Sequence, residues 1–163
     1  MTLRLILMRH AKSSWDIPAL DDHARPLNAR GDKSARALGN WLRQKSYLPD
    51  TALSSDSART RATMAGLALD CPVRFTPRLY HADPMTMLME LRQTAGQSVL
   101  MIGHNPGIGV FADRILVTRP THPRFADYPT CATLVAEFPQ EKWAEVEFTT
   151  AAHIDFVIPR ELT

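Results

Sequence analysis

A chain of 163 residues, 45% hydrophobic and 22% charged, can bury one sizeable core, so we expect a single domain over residues 1–163. Its formal net charge of +2 is too small for a general nucleic-acid or membrane binder. The first apolar run, residues 5–8, is too short for a signal sequence or a membrane span. These features favour a cytoplasmic protein, in which Cys71 and Cys131 are expected to be free thiols.

Apolar runs alternate with helix-like segments along most of the chain, and no linker or repeat divides it. Nearly continuous apolar runs are typical of buried strands, and apolar residues at helical spacing are typical of amphipathic helices. The predicted elements are, in chain order, a strand over residues 3–8, a loop over 9–27, a helix over 29–45, a strand over 51–54, a helix over 57–69, a strand over 73–76, a helix opened by Pro84, a strand over 99–102 and a helix over 108–116.

The sequence also predicts how two of these helices begin and which face of one of them is apolar. Ser55 or Asp56 is expected to cap the helix over residues 57–69, because short polar side chains favour that position. Pro84 suits the first turn of the helix that it opens. The apolar face of that helix is expected to consist of Met85, Leu88 and Met89.

The C-terminal part of the chain begins with a loop, since residues 117–130 contain three prolines. Alternating apolar residues at 134–138 and 146–148 predict two half-exposed strands that form a hairpin at one sheet edge. Residues 153–159 are expected to add a last short strand. The whole pattern predicts an α/β fold of three layers, in which a mostly parallel central sheet is flanked by helices.

Two histidines directly follow predicted buried strands. His10 comes after the first strand and His104 after the fourth. Ligands of open parallel sheets bind beyond the carboxyl ends of the strands, so the two imidazoles are expected to face one cleft. Either histidine alone would more often be an unrelated surface or core residue, and their paired placement is what favours a shared site.

Two arginines accompany these histidines. Arg9 precedes His10, and Arg59 falls near the start of a predicted helix, where backbone N–H groups also favour anions. Guanidinium groups match phosphate oxygens in pairs, and phosphoryl transfer depends mostly on positioning and cationic stabilisation. We therefore expect a phosphate or sulfate to bind among Arg9, His10, Arg59 and His104, with no metal. Arg61 is equally consistent with an exposed helix face.

The order and spacing of these motifs resemble the histidine phosphatase superfamily, which has a phosphoglycerate mutase-like fold. Arg9-His10 is similar to its Arg-His signature, and Gly103-His104 is similar to its late Gly-His motif. Residues 54–63 are similar to its second-strand motif, whose arginine falls on Arg59. Further agreement points to the SixA-like branch of phosphohistidine phosphatases, and is carried by Asp22, Arg25, Pro26, Leu27, Gly31, Leu79, Tyr80, His81, Ala82, Asn105 and Pro106.

This resemblance implies a phosphatase that uses covalent catalysis, without a cofactor. His10 would attack phosphorus and become a transient phosphohistidine, while Arg9, Arg59 and His104 hold the phosphoryl oxygens, with His104 protonated or donating. The implied substrate is phosphohistidine in a phosphoprotein. His10 must then present a neutral nitrogen, so Arg9 and Arg59 should lower its pKa. A backbone carbonyl that accepts from its other ring nitrogen would fix the tautomer.

The proton donor is where the chain departs from larger members of the family. Those members carry a glutamate after the third strand, and the corresponding region, residues 79–84, has none. Asp83 or His81 could substitute for it, although acid–base roles require hydrogen-bond reach that a sequence does not show. The lack of a strong acid would suit a labile P–N bond better than an alkyl phosphate ester.

Two further residues have both functional and structural interpretations. Arg25 could contact phosphate or substrate, but a salt bridge to Asp21 or Asp22 is favoured, since such pairs are common in loops. Asn105 could equally donate to phosphate or cap the helix after Pro106.

Other phosphate enzymes leave patterns that this sequence lacks, namely a Cys-x5-Arg loop, a Walker A loop and a His-Glu-x-x-His zinc motif. Within the resemblance, a phosphatase of a small phosphorylated metabolite is the main alternative, and the short chain argues against a mutase. An alternative of another class is a module that binds phosphate or a phosphoprotein without turnover. The adjacent Arg9 and His10 argue against that module.

Overall fold

A six-stranded sheet forms the centre of the computed structural model, which describes residues 2–163. Its strands are β1 (Leu3–Arg9), β2 (Thr51–Ser55), β3 (Val73–Thr76), β4 (Ser98–Gly103), β5 (Thr133–Phe138) and β6 (Ala152–Val157). The α-helices are α1 (Ala29–Gln44), α2 (Ala58–Leu67), α3 (Pro84–Leu91) and α4 (Gly107–Ile115).

The strands lie in the order β3-β2-β4-β1-β5-β6. Strands β3, β2, β4 and β1 pair in parallel, whereas β5 is antiparallel to both of its neighbours. Strand β6 therefore points in the same direction as β1. This arrangement confirms the predicted α/β class with a mostly parallel sheet.

The two faces of the sheet carry separate hydrophobic clusters. Along β1, Leu5 and Leu7 belong to one cluster, and Ile6 and Met8 belong to the other. The cause is the pleat, which points successive side chains to opposite faces. Helices α3 and α4 contribute to the first cluster, and α1 and α2 contribute to the second. The sheet is thus the middle of three layers, as predicted.

The cap of α2 differs from the prediction of Ser55 or Asp56. Ser57 is the cap, and its side chain accepts from the backbone N–H of Thr60. Ser55 is the last residue of β2 and its hydroxyl contacts His104, while Asp56 pairs with a histidine side chain. Both predicted caps are therefore occupied elsewhere, and α2 begins at the next residue.

The apolar face of α3 also differs from the predicted one. Leu88 is buried as expected, but its buried partners are Met87 and Leu91. Met85 and Met89 are 51% and 44% exposed. Four residues apart, these two methionines form a stripe on the solvent side of the helix.

The predicted hairpin of two half-exposed strands is wrong in both respects. Strand β5 is mostly buried because it lies between β1 and β6, and residues 146–148 form no strand. A 3₁₀ turn, Trp143–Glu145, occupies part of the connection, and Trp143 is buried in the core. The partner of β5 at the sheet edge is β6, which corresponds to the predicted tail strand.

Strand β3 is the opposite edge of the sheet. Beside it, the buried carboxylate of Glu90 forms ion pairs with two arginines. Glu90 of α3 is 1% exposed and accepts from Arg74 of β3 at 3.2 Å and from Arg78 at 2.9 Å. Burying a carboxylate without partners costs free energy, and the two ion pairs offset that cost. These ion pairs hold the guanidinium groups of both arginines in place.

The two cysteines are free, with Cys71 half-buried and Cys131 buried. Within residues 2–163, every helix is too short or too polar to cross a bilayer.

Candidate active site

The four residues predicted to bind phosphate lie together at the carboxyl ends of parallel strands. Arg9 ends β1 and His10 follows it, while His104 follows β4. Arg9 is in register with Gly103, so the next residue along each of these paired strands is a histidine. The ring centroids of His10 and His104 are 5.2 Å apart, and Arg59 Nη2 lies 3.3 Å from His104 Nδ1.

His10 has one ring nitrogen left for chemistry. Its Nδ1 donates to the carbonyl oxygen of Ala11 at 2.7 Å, which leaves a lone pair on Nε2. The side chain is 6% exposed. Burial is the largest cause that lowers the pKa of His10 to about 3, and the bond to Ala11 opposes it. The nearby guanidinium groups of Arg59, Arg9 and Arg25 lower this pKa further, so the ring is neutral at physiological pH.

Two guanidinium groups lie beside the imidazole. Arg59, in the first turn of α2, is 1% exposed and donates to the backbone oxygen of Asp22 at 2.7 Å. Arg9 donates to the carbonyl oxygen of Tyr128 at 3.2 Å. Burial, together with the charge of Arg59, lowers the pKa of Arg9. The Nε atoms of both arginines are buried without a hydrogen-bond partner among residues 2–163, so both keep unused donors.

His104 is the second imidazole of the cluster and is 1% exposed. Its Nδ1 must accept from Arg59, because a guanidinium group can only donate. Its Nε2 then carries the proton and donates to the hydroxyl of Ser55 at 2.8 Å. Burial, with the nearby charges of His10 and Arg59, lowers the pKa of His104 to about 2. The imidazole is therefore neutral here, with Nδ1 directed to the guanidinium.

A carboxylate completes the cluster. Asp22 accepts from Arg59 at 3.0 Å, from the Tyr80 hydroxyl at 2.5 Å and from His81 at 3.1 Å. Burial raises its pKa, but these bonds and one from Arg25 hold the pKa of Asp22 well below its usual range. The sequence identifies Asp22 only as a motif residue and a partner of Arg25. Its bonds to Arg59 and Tyr80 span 37 and 58 residues, which no local pattern shows.

Comparison with known proteins identifies the family. The model of the histidine phosphatase superfamily, branch 1, matches residues 5–83. An uncharacterised protein of Mycobacterium tuberculosis is 34% identical in an alignment 160 positions long. The alignment covers 94% of this chain and the whole of that protein. The chain belongs to the histidine phosphatase superfamily.

Solved structures place this histidine phosphatase in the SixA-like branch. A protein assigned as the phosphohistidine phosphatase SixA of Nakamurella multipartitia superimposes with a TM-score of 0.85 at 26% identity, over 98% of this chain and 97% of that one. The corresponding protein of Agrobacterium tumefaciens gives a TM-score of 0.78 at 27% identity, over 98% and 99%. The chain is accordingly a hydrolase of the phosphatase type.

Arg25 of the histidine phosphatase forms the salt bridge that its sequence position favours. It is buried and donates to Asp22 at 2.6 Å and to the hydroxyl of Ser13 at 2.5 Å. Its guanidinium carbon lies 3.7 Å from the centre of the Trp15 ring. These contacts fix Arg25 near the cluster, where its charge reaches His10.

Asn105 is used by the helix rather than left free. Its side-chain oxygen accepts from the N–H of Gly109 in the first turn of α4 at 3.2 Å. Its amide donates to the backbone oxygens of Asp127 and Tyr128, at 3.1 Å each. These contacts agree with Asn105 as a cap of the helix after Pro106, rather than as a donor to phosphate.

The two candidate proton donors occupy different environments. Asp83 caps α3 by accepting from the N–H of Thr86 at 2.8 Å, and this bond lowers the pKa of Asp83. His81 instead belongs to the cluster, with its ring centroid 4.8 Å from that of His104. It has a φ of 49°, in the left-handed region that few non-glycine residues adopt.

The described residues offer no obvious metal centre. Among residues 2–163, no group of three or more histidine, cysteine, aspartate or glutamate side chains is arranged to hold a metal ion. Arg61, finally, lies on the surface of α2, where it donates to the backbone oxygen of Asp56 and stacks on Phe75.

The two buried imidazoles should make the stability of the protein depend on pH. The pKa values of His10 and His104, about 3 and about 2, lie below the 6.5 of an unperturbed histidine. The unfolded chain therefore binds more protons below pH 6.5, and the stability present above that pH is lost as the pH falls. Each histidine should lower the free energy of unfolding by about 2 kcal/mol between pH 7 and pH 5.

Urea unfolding at pH 7, 6 and 5 measures this effect. We expect His10→Gln to lose about half of the pH dependence of the wild-type protein. His153→Gln is the matched control, since His153 is exposed on β6. Equal slopes for wild type and His10→Gln would contradict the prediction.

Proposed function

We propose that this histidine phosphatase hydrolyses phosphohistidine in a phosphoprotein, through a covalent intermediate on His10 and without a metal ion. The arrangement of His10 carries the proposal, because its Nε2 lone pair is free and Arg9 and Arg59 lie beside it. Phosphoryl transfer depends on positioning and on charge stabilisation, and an unprotonated nucleophile among cations meets both needs. The likeness to two structures assigned as phosphohistidine phosphatases supports this substrate.

In the first step, the Nε2 lone pair of His10 forms a bond to phosphorus while the bond from phosphorus to the substrate imidazole breaks. The departing imidazole keeps the electron pair, and it leaves neutral because its ring takes up a proton from the solvent. In the second step, a water oxygen bonds to phosphorus and the P–Nε2 bond breaks, returning its electron pair to His10. Inorganic phosphate leaves with the water oxygen and its protons, and the enzyme is restored.

The cationic groups would stabilise charge on the three equatorial oxygens. Arg9 and Arg59 place two guanidinium groups near His10, and bidentate guanidinium contacts to phosphate are strong. His104 has Nδ1 directed into the cluster. A phosphoryl dianion beside His104 would raise its pKa, against burial and the neighbouring cations, so the ring could gain a proton and donate.

The states of the Asp22 and Asp83 carboxylates favour cleavage of a P–N bond over cleavage of an alkyl phosphate ester. An alkoxide is a poor leaving group and needs a general acid, which typically contributes 10²- to 10⁴-fold. Asp83 is held as a helix cap, and the hydrogen bonds of Asp22 keep its pKa low, so neither is a protonated acid. An imidazole leaves more readily than an alkoxide, so a site whose carboxylates are not protonated suits a P–N bond.

A second candidate function, hydrolysis of a small phosphorylated metabolite, is favoured by His81. Its ring lies beside that of His104, and its Nε2 is bonded to Asp22. With Nε2–H held by the carboxylate, the doubly protonated ring could give its Nδ1 proton to an ester oxygen.

A substrate panel with and without EDTA tests the proposed function. The panel contains a histidine-phosphorylated phosphotransfer domain, alkyl phosphate monoesters and sugar phosphates. We expect kcat/KM for the phosphoprotein to exceed that for the alkyl esters by about 100-fold or more, because the esters require the missing acid. Turnover should be unchanged by EDTA.

Two outcomes would contradict this expectation. Faster turnover of a metabolite ester would favour the second candidate, and His81→Gln should then slow the ester but not the phosphoprotein. Loss of activity on chelation, restored by adding a divalent metal, would point to a metal mechanism.

A further inference from the structure

A separate cavity of about 120 Å³ is rich in positive charge, and one of the residues that line it is Lys12, two positions after His10. We propose that this cationic cavity binds a second anionic group of the same substrate, a carboxylate or a phosphate, while the phosphoryl group faces His10. The inference rests on the proposed function and specifies which substrates the site selects. Its walls include Lys12, Arg30, Ser34, Arg124, Thr130 and Arg160.

Most of the charge in the cationic cavity is uncompensated. Among the hydrogen bonds and ion pairs of residues 2–163, none involves the side chains of Lys12, Arg30 or Arg160. Arg124 alone has an acidic partner, Asp127, at 2.9 Å. Four cationic residues that line one small cavity raise the positive potential there, so an anion that enters it is attracted.

Two of these cations are brought together by close packing. Lys12 lies two residues after His10, and its carbonyl oxygen accepts from the N–H of Asn28, the cap of α1. A Cβ on Gly31 would lie 2.1 Å from that oxygen, so only glycine permits the approach. Arg30 is therefore held beside Lys12, in the first turn of a 16-residue helix whose N-terminus also favours anions.

The opposite wall comes from the C-terminal strands, at the same sheet edge as the active site. The N–H of Cys131 donates to the His10 carbonyl oxygen at 2.9 Å, directly after Thr130. Strand β6 points in the same direction as β1, and its last residue, Val157, is paired with Thr133 at the His10 end of β5. The turn that contains Arg160 therefore begins at this edge, about 10 Å from the end of β1, since sheet strands are about 4.8 Å apart.

This geometry sets the distance between the two anionic groups. Lys12 is within about 7 Å of His10 along the chain, and the end of β6, three residues before Arg160, is about 10 Å from the end of β1 across two strands. An extended peptide covers about 10 Å in three residues. Arginine forks bind carboxylates and phosphates in the same bidentate way. An acidic residue about three positions from the phosphohistidine would thus reach the cationic cavity.

Two fluorescent peptides test the proposal by binding alone. Both contain a non-hydrolysable phosphohistidine analogue, a phosphoryltriazolylalanine, and they carry either aspartate or asparagine three residues away on each side. We expect wild-type protein to bind the aspartate peptide about tenfold more tightly by fluorescence anisotropy, a gain that fits two partly exposed ion pairs. Raising the salt concentration should reduce this preference.

A double variant and a matched control locate the effect. Arg30→Gln combined with Arg160→Gln should abolish the preference and leave the Kd of the asparagine peptide within about twofold. Lys142→Gln removes the same kind of charge beyond the other end of β5 and should keep the preference. Calorimetric titration with propane-1,3-diol bisphosphate and with propyl phosphate shows whether the cavity also accepts a phosphate.

The outcomes separate this inference from the proposed function. If wild-type protein prefers neither the aspartate peptide nor the bisphosphate, the cationic cavity does not bind a second anion, whatever the enzyme hydrolyses. If neither peptide binds but the bisphosphate is preferred and the double variant loses that preference, the cavity stands and the phosphohistidine substrate is wrong.

Discussion

Replacing His10 with alanine is expected to lower kcat for the phosphoprotein by about 10⁵-fold or more, the scale seen when a catalytic nucleophile is removed. The variant keeps Arg9, Arg59 and His104, so it should still bind a phosphoryl group. Its residual activity would come only from charge stabilisation by those groups. Phosphate release under saturating substrate measures the loss.

A chemical trap shows whether His10 is the nucleophile. Wild-type protein that is quenched in denaturant during turnover of radiolabelled substrate should carry an acid-labile, base-stable phosphoryl group, and His10→Ala should carry none. His153→Ala removes an exposed imidazole from β6 and should keep full activity. If His10→Ala bound substrate normally and the wild type released no phosphate, the alternative of a non-catalytic binding module would be preferred.

Replacing Arg59 with alanine is expected to lower kcat/KM by about 10³-fold, the upper range for loss of one preorganised donor to a developing oxyanion. The guanidinium is fully buried and bridges Asp22 and His104, so its loss removes the charge and also leaves Asp22 with fewer partners. Arg59→Lys keeps the charge without the planar fork and should recover only part of the rate.

Arg61→Ala is the matched control for Arg59, because Arg61 lies two residues further along α2 with its side chain on the surface. It should change kcat/KM by less than about threefold. Urea unfolding of each variant separates lost catalysis from lost folding. Equal effects at both arginines would remove Arg59 from its proposed role.

The positions of the histidines were predictable because they follow from a topological rule. His10 and His104 each come one residue after an apolar strand, and parallel strands align their carboxyl ends. Arg59 follows for the same reason, since α2 begins just beyond β2. These assignments need only the direction of the strands, which an alternating pattern of strands and helices predicts.

Other features depend on contacts between distant segments. Asp22 is one polar residue in a long loop until Tyr80 and Arg59 converge on it, so its pKa and its place in the cluster are properties of the fold. The burial of β5 is similar, because alternation shows which side chains share a face but not whether β6 covers the outer edge. The prediction that Met85 lies on the buried face of α3 is wrong because a short helix permits more than one apolar stripe.

The carboxylate of Glu90 has a consequence for association between copies of the protein. An unpaired outer strand can template the addition of a strand from another chain, which is a route to aggregation. Here Arg74 and Arg78 are anchored by a shared buried acid while their side chains remain 48% and 62% exposed. A strand added along β3 would have to desolvate these fixed positive charges, so this margin of the sheet resists such growth.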